Sequence, residues 1–332
     1  MTKRPLGGYF LTSKAKPTTR QRNLLKVLNL LQQNDSQSAK NLSIQTGLSI
    51  VSINKLLDVL DNKHLITNGF LNTSGRRAKT YQLRADAGKL GIFQLIESNG
   101  KILITYYLCD LLGQIYQKRQ ATKPLESLDY LLDFIKTMTL KERPIKIIVG
   151  VPGVELNALL QISDVQSLQG INLTAAITTA TGIDALIVND VNASTYGANK
   201  KSDQENITVG IYFPKNFGPG VGVVINNHLL HGADGLTGKI EFGTVSSNDK
   251  TQEIIQHLQN IISLLNPNLM IAYIEKLNLS SGEINHIKQT IDKKLPLHQN
   301  YSLIFDHNFK KDYLTGLIAI GRQQFLHDQV VD

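Results

Sequence analysis

Between Arg20 and Gln33 the chain places Leu24, Leu25, Leu28 and Leu31 at helical spacing, with polar residues between them, the period of a helix packed along one side. Asn34 and Asp35 break that pattern. A second helix is expected over AKNLSIQT, capped by Ser36 or Ser38 and ending near Gly47. Gly47 then turns the chain, Leu48 plugs the core, and Ser49 caps a third helix, IVSINKLLDVLDNKH, whose buried side is Ile53, Leu56, Leu57 and Leu60. Two short apolar runs follow, Leu65–Ile66 and Tyr81–Leu83, flanking a tip with Gly75, Arg76, Arg77 and Lys79. That pattern predicts a two-stranded wing. From about Lys89 the periodicity changes, and apolar strands alternate with helical segments as in an α/β fold. ILITYYLCDLLGQIYQKRQ predicts two strands around a turn at Asp110–Gly113, and IKIIVGV a buried strand ending in a turn at Pro152-Gly153. A further strand is expected to present Asn189 and Asp190 before a helix starting near Asn192. A glycine-rich hairpin and a loop come next.

Charge sharpens this division. The first 89 residues carry 15 Lys+Arg against 4 Asp+Glu, a net of +11, and the remaining 243 carry 20 against 23, a net of −3. A basic front end on a near-neutral body points to a segment that meets polyanion. The apolar content of 42% and charged content of 19% are globular values. Cys109 is the sole cysteine, which excludes an internal disulfide and a cysteine-based zinc site and suits a reducing cytosol. The N-terminal stretch is charged without an apolar h-region, and no run approaches the ~18 apolar residues of a membrane span. A soluble cytoplasmic protein without membrane attachment is expected.

Two helices joined by a short glycine turn, followed by a wing, form the arrangement that lays its second helix in the DNA major groove. Ile50, Ser52, Asn54 and Lys55 are the outward positions near the start of that helix. Asn pairs bidentately with adenine, Lys reaches guanine or phosphate, and Ile contacts a thymine methyl. Arg76, Arg77 and Lys79 suit phosphates or the minor groove, the alternative being a solvated charged loop. Arg20 and Ser49 complete the candidate contact set for double-stranded operator DNA.

Arg20, Arg22 and Asn23, then Gly47-Leu48-Ser49, then Ser74-Gly75-Arg76-Arg77 resemble the DNA-binding domain of ROK-family regulators of the xylose- and N-acetylglucosamine-repressor type. The body resembles the ROK domain in Gly150-Val151-Pro152-Gly153, Val188 to Ala193, the hairpin from Phe217 to Ile225, Gly232 to Gly238, Leu264-Leu265-Asn266-Pro267 and Gly316 to Gly321. The resemblance implies a winged helix-turn-helix followed by a two-lobed actin/hexokinase-like fold around a sugar cleft. The expected layout is a basic arm over 1–18, a DNA-binding domain over 19–87, and a ROK-like domain over 88–332 that is shortened after residue 245. In the family's kinases the Asp of the Asn-Asp pair, here Asp190, takes the proton of the acceptor hydroxyl, and Asn189 binds a neighbouring hydroxyl. Both residue types are also good helix caps, so Asn189-Asp190 could simply start the next helix.

The chain departs from the kinase pattern at several places. Where kinases of the family have Asp-x-Gly-Gly-Thr, it reads Glu97-Ser98-Asn99-Gly100-Lys101. The second phosphate turn is Gly218-Pro219-Gly220, and proline removes an N–H that phosphate would use. Where Gly-Glu-Ile-Gly-His is usual, the chain has Gly238-Lys239-Ile240-Glu241-Phe242, and the cysteine-rich zinc loop is missing. No enzyme activity, cofactor or metal is therefore expected. Gly153, Asn189, Asp190, Lys239 and Glu241 form the candidate effector set. Either the cleft is retuned for an anionic sugar derivative that pairs with Lys239, or the sensor has decayed to a scaffold. His228 and His231 read as surface residues rather than ligands. The expected function is a transcriptional regulator, a repressor of carbohydrate-utilisation genes with a sugar or sugar-phosphate effector. The alternatives are a ligand-independent DNA-binding regulator and a sugar kinase with a fused DNA-binding domain. A homodimer is expected from half-site recognition, with Ser302–Phe325 either contributing to its interface or buried in its own lobe.

Overall fold

The computed structural model describes residues 17–331 except 34–35, 74–75, 164, 202–206, 216–217, 244, 246, 248 and 297–299. The chain opens with α1 (Thr19–Gln33), β1 (Gln37–Ser38), α2 (Ala39–Thr46), α3 (Ile50–Asn62), β2 (Ile66–Thr73) and β3 (Arg76–Leu83). Ser38 caps α2 by accepting the Asn41 amide (3.1 Å), and Gly47 ends that helix at φ 74°, a left-handed turn that glycine enters without steric cost. Ile53, Leu56, Leu57 and Leu60 are the buried side of α3, as its spacing predicts. Leu24, Leu28 and Leu31 of α1 are buried with Val27, and Leu25 is partly buried against the same core. The two wing strands pair antiparallel from Ile66↔Leu83 to Thr73↔Arg76 and are joined by β1 in a sheet of order β1-β3-β2. The wing is thus longer than its apolar runs.

Behind this head lie two sheets. The first lobe contains β4 (Lys89–Ser98), β5 (Lys101–Asp110), β6 (Ile115–Gln120), α4 (Leu128–Thr139), β7 (Lys146–Val151), β8 (Gly153–Leu156), β9 (Leu159–Ser163), α5 (Leu173–Thr181), β10 (Ala185–Asn189) and α6 (Asp190–Asn199), with β8 and β9 paired to each other in a small sheet of their own. The second uses β11 (Ile207–Tyr212), β12 (Gly220–Ile225), β13 (His228–Leu229), α7 (Lys250–Leu265), β14 (Leu269–Tyr273), α8 (Ser281–Lys294), β15 (Ser302–Asp306) and α9 (Phe309–Val331). The strand orders are β6-β5-β4-β7-β10 and β13-β12-β11-β14-β15. In each sheet an antiparallel meander of three strands is extended by two parallel strands. The two lobes therefore repeat one topology, and α6 and α9, each following the last strand of its lobe, are equivalent helices packed on each other.

Three apolar clusters hold this together. One covers the outer face of the first sheet under α4 and α5, and another the outer face of the second under α7 and α8. The third is continuous from Leu24, Leu42 and Leu57 in the head through Leu90, Tyr107 and Ile148 to Tyr313, Leu317 and Leu326 of α9. Ser302–Phe325 is accordingly used within the chain, as β15 and most of α9. Helix α6 begins at Asp190, two residues before its expected start, because Asn189 is itself the cap and accepts the Asn192 amide at 2.9 Å.

The start of α9 is held by a carboxylate. Glu275 Oε2 accepts the Phe309 amide at 3.0 Å, yet burial outweighs that bond and the nearby Lys276, and pushes the carboxyl up from 4.5 to about 7. Between those two values the folded chain binds more protons than the unfolded chain, so this group lowers stability as pH rises through that window. Melting temperatures of Glu275→Gln and the unaltered chain should therefore diverge in favour of the variant on going from pH 5 to pH 8. An equal difference at both pH values would contradict the assignment.

Candidate nucleic-acid interface and ligand cleft

Ser49 is the N-cap of α3. Its Oγ accepts the Ser52 amide (3.1 Å) and lies 2.9 Å from the Ser52 hydroxyl, so the start of α3 is fixed before any partner arrives. Ser49, Ile50, Ser52, Asn54 and Lys55 are all exposed. Val51, 65% exposed, shares that first turn, and Ile44 on α2 is 71% exposed. Neither was expected on the surface; the helical wheel of α3, read as one face, would have found Val51. Lys79 is exposed on β3 with its ammonium 5.1 Å from the Tyr81 ring centroid. Arg76 and Arg77 open β3 at the wing tip; their side chains, and residues Ser74 and Gly75, lie outside what the structure describes. Arg20 is exposed in the first turn of α1, next to Gln21, whose amide donates to the Val331 carbonyl at the end of α9 (3.1 Å).

In the body, the expected effector residues converge on the start of α6. Gly153 opens β8, where any side chain would meet the Ile162 carbonyl oxygen at 2.5 Å. Its own carbonyl accepts the Asn189 amide at 2.8 Å. Asn189 Nδ2 also donates to Asp190 Oδ1 (3.1 Å), and the Val191 amide donates to that same oxygen (2.8 Å). Asp190 is a buried carboxylate at the positive end of α6, a favourable place for negative charge. Strand β12 packs on the same turn, with Gly220 against the Val191 side chain and Gly222 against its carbonyl. The Gly238 carbonyl accepts the Val221 amide (3.0 Å), which clips the turn carrying Lys239 and Glu241 to that strand. Lys239 and Glu241 pair with each other at 3.5 Å, both partly buried, so the lysine already has a carboxylate partner. Glu155 joins this neighbourhood from β8, its backbone carbonyl facing Gly235 and its carboxyl pushed up by burial.

A further contact between the lobes forms at the β4–β5 turn. Glu97, at the end of β4, accepts the Gly100 amide (2.6 Å) and pairs with Lys276 of the second lobe at 3.0 Å, and the Lys276 ammonium also donates to the Glu97 carbonyl at 3.2 Å. Burial alone would raise the Glu97 carboxyl, but the Gly100 amide, Lys276 and the nearby Lys215 hold it below its usual value. The turn that would cradle phosphate is thus bridged by an acidic side chain and a lysine. Gly218 packs against the Glu241 side chain, and Pro219 is buried.

His228 is exposed, as expected, but His231 is half-buried and burial lowers its imidazole below the usual value. The correction follows from the 232–238 loop folding back, with the Thr237 amide donating to the His231 carbonyl. Among the described residues no group of histidine, cysteine and carboxylate side chains could hold a metal ion. Cys109 is buried, with its thiol pushed up to about 12 by burial. Among the described residues, no helix is long and apolar enough to cross a membrane.

Residues 95–253 match the ROK family model. The chain is similar to the xylose repressor of Bacillus spizizenii, with 26% identity over 235 residues covering 67% of this chain and 60% of that protein. The match therefore spans less than two thirds of the curated relative. Among solved structures, a ROK family transcriptional regulator homologous to the Escherichia coli MLC protein superposes with a TM-score of 0.70 at 19% identity, over 94% of this chain and 98% of that one. The ROK hexokinase of Thermus thermophilus gives a TM-score of 0.58 at 14% identity, over 70% of this chain and 97% of that one. The regulator's likeness thus extends further along this chain than the hexokinase's. Behind the N-terminal helices and the β1-β3-β2 sheet, the segment over residues 95–253, a little under half of this chain, is similar to the ROK family.

Proposed function

We propose that this chain is a DNA-binding transcriptional regulator, a repressor of carbohydrate-utilisation genes, that acts as a homodimer and answers to a sugar or sugar phosphate bound beside Asn189 and Asp190. Residues 1–18 serve as a basic arm, 19–87 as the reading head and 88–332 as the sensor. The observation that carries this reading is α3, capped by Ser49 and buried along Ile53, Leu56, Leu57 and Leu60, with Ile50, Ser52, Asn54 and Lys55 outward. That amphipathic helix sits in a segment of net charge +11, which suits entry into the major groove. Arg20, Ser49, Arg76, Arg77 and Lys79 contact the backbone around it.

The cleft binds rather than phosphorylates. The Lys276 bridge to Glu97 fills the phosphate turn with a protein cation, and Pro219 offers no N–H to a nucleotide. Gly153, Asn189, Asp190, Lys239 and Glu241 line the sugar end. A sensor without an effector is favoured by one observation: Asn189, Lys239 and Glu241 already have partners within the chain.

Thermal shift against D-xylose, D-glucose, N-acetylglucosamine, their phosphates and ATP–Mg²⁺ separates the readings. A binder at a hundredfold excess over its dissociation constant stabilises the fold by roughly 2.7 kcal/mol. The expected result is a shift with one sugar or sugar phosphate that disappears in Asp190→Ala, while that variant keeps its affinity for duplex DNA. A shift with none of them favours the sensor without effector, and turnover of ATP with a sugar would make the chain a kinase. Loss of DNA binding in Asp190→Ala would assign the residue a folding role instead.

A further inference from the structure

Helices α6 and α9 occupy equivalent places in the two lobes, yet α6 has 10 residues and α9 has 23. Their crossing allows no slack. A side chain at Gly197 would meet the Asp312 carbonyl oxygen at 2.0 Å, and one at Gly316 would meet the Ala193 carbonyl oxygen at 1.7 Å. The Tyr196 hydroxyl lies 2.6 Å from Gln323 Oε1, one residue from Arg322. Tyr273 hydrogen-bonds both the Ser194 carbonyl and Asp312, and Asp312 also pairs with Lys201. Interlocked backbones of this kind move as one body, because packed interiors have few intermediate arrangements.

The remainder of α9 runs beyond that crossing to the head. Arg322 Nη1 donates to the Leu111 carbonyl (3.0 Å) and its Nε to Gln32 Oε1 of α1 (3.1 Å), so one guanidinium holds the first lobe and the head together. Nearer the end of α9, the Val331 carbonyl accepts from Gln21 of α1, and the Gln329 carbonyl accepts from Lys63 at the end of α3 (2.5 Å). Beside this joint lies an open surface cleft of about 560 Å³ lined by Asp61, His64, Arg84, Asp86 and Leu112.

We propose that α9 is the strut by which the cleft controls the reading head, and that Arg322 is its positioning residue. Any shift of the Asn189-Asp190 step moves α6. The glycine crossing passes that motion to α9, and α9 carries it to α1 and to the end of α3. This inference deepens the function proposed above and rests on it for the meaning of the motion, but the linkage itself is testable without DNA or sugar.

Amide hydrogen exchange of the full chain, read by mass spectrometry over 19–33 and 50–62, provides that test. Tyr196→Phe removes one hydroxyl from the body, the one that bonds Gln323 of α9. It should still speed exchange in both head segments by about threefold or more, since local opening follows the contacts that oppose it. Gln32→Ala, which breaks the joint from the head side, should do the same, and the double variant should match the larger single effect. Gly197→Ala should exceed Tyr196→Phe if that chain folds, and Tyr196→Phe decides the matter if it does not. Unchanged exchange in the head of Tyr196→Phe overturns the strut, and so does simple addition of the two effects in the double variant. Fluorescence anisotropy of the unaltered chain with duplex DNA is run alongside. Absence of binding there would refute the DNA-reading function while leaving the exchange result to decide the strut.

Discussion

Duplex DNA should bind the Arg76→Ala, Arg77→Ala double variant at least about tenfold more weakly than the unaltered chain at ~0.1 M salt, with little dependence on sequence. Both arginines open β3 at the tip of the wing, and a cation that neutralises a phosphate releases a condensed counterion. Each such contact contributes ~0.9 to the slope of log affinity against log salt on B-form DNA. Anisotropy titrations at four or five salt concentrations should therefore show the slope fall by roughly two. Lys55→Ala on α3 provides the contrast: it should relax preference at one position of the site, with a smaller change in slope. An unaltered salt slope in the double variant would show that the wing tip is a solvated loop.

The second large effect is on the fold. Gly316→Ala should lower the stability of the whole chain by more than ~3 kcal/mol, because the new methyl has no room and the obstacle is main chain rather than a flexible side chain. The Ala193 carbonyl oxygen would lie 1.7 Å from it, so either α6 or α9 must shift. Gly282, on α8, has only the Ser280 hydroxyl within reach at 3.8 Å, so alanine there should be neutral or stabilising by up to ~1 kcal/mol. Urea midpoints of the two variants make the comparison, and similar midpoints would show that the helix crossing yields easily. Because the third apolar cluster runs from head to body, the loss should appear as one transition.

The head was legible because its helices are amphipathic and its caps are local. The apolar period fixes which side of α3 is buried, and Ser49 and Gly47 mark its ends without reference to anything distant. The wing was underestimated because β2 continues through Thr67, Asn68, Asn72 and Thr73 and β3 begins at Arg76, where pairing rather than apolar alternation makes the strand. The start of α6 was misplaced by two residues for a related reason. Asn189 satisfies both the strand end and the cap, and a sequence pattern does not separate the two roles. The resemblance anticipated a changed phosphate turn, but what fills it was invisible, since Glu97 and Lys276 lie 179 residues apart and an ion pair leaves no periodic trace. The same holds for the docking of α9 on α1 and the end of α3, which depends on Arg322, Gln21 and Lys63, none of them marked by its surroundings in the chain. His231 was misjudged because its burial comes from a loop that folds back on it.

That docking joins residues made far apart in time. Gln21 and Val331 are separated by 310 positions, so at ribosomal speeds the partner of α1 emerges on the order of tens of seconds after α1 itself. Throughout that interval Gln21, Gln32 and Lys63 have none of their α9 partners, and part of the apolar surface of α1 remains uncovered. The nascent head therefore waits for its full set of contacts, although it is made before the body. Only a polypeptide translated through α9 has all the contacts that seat the head.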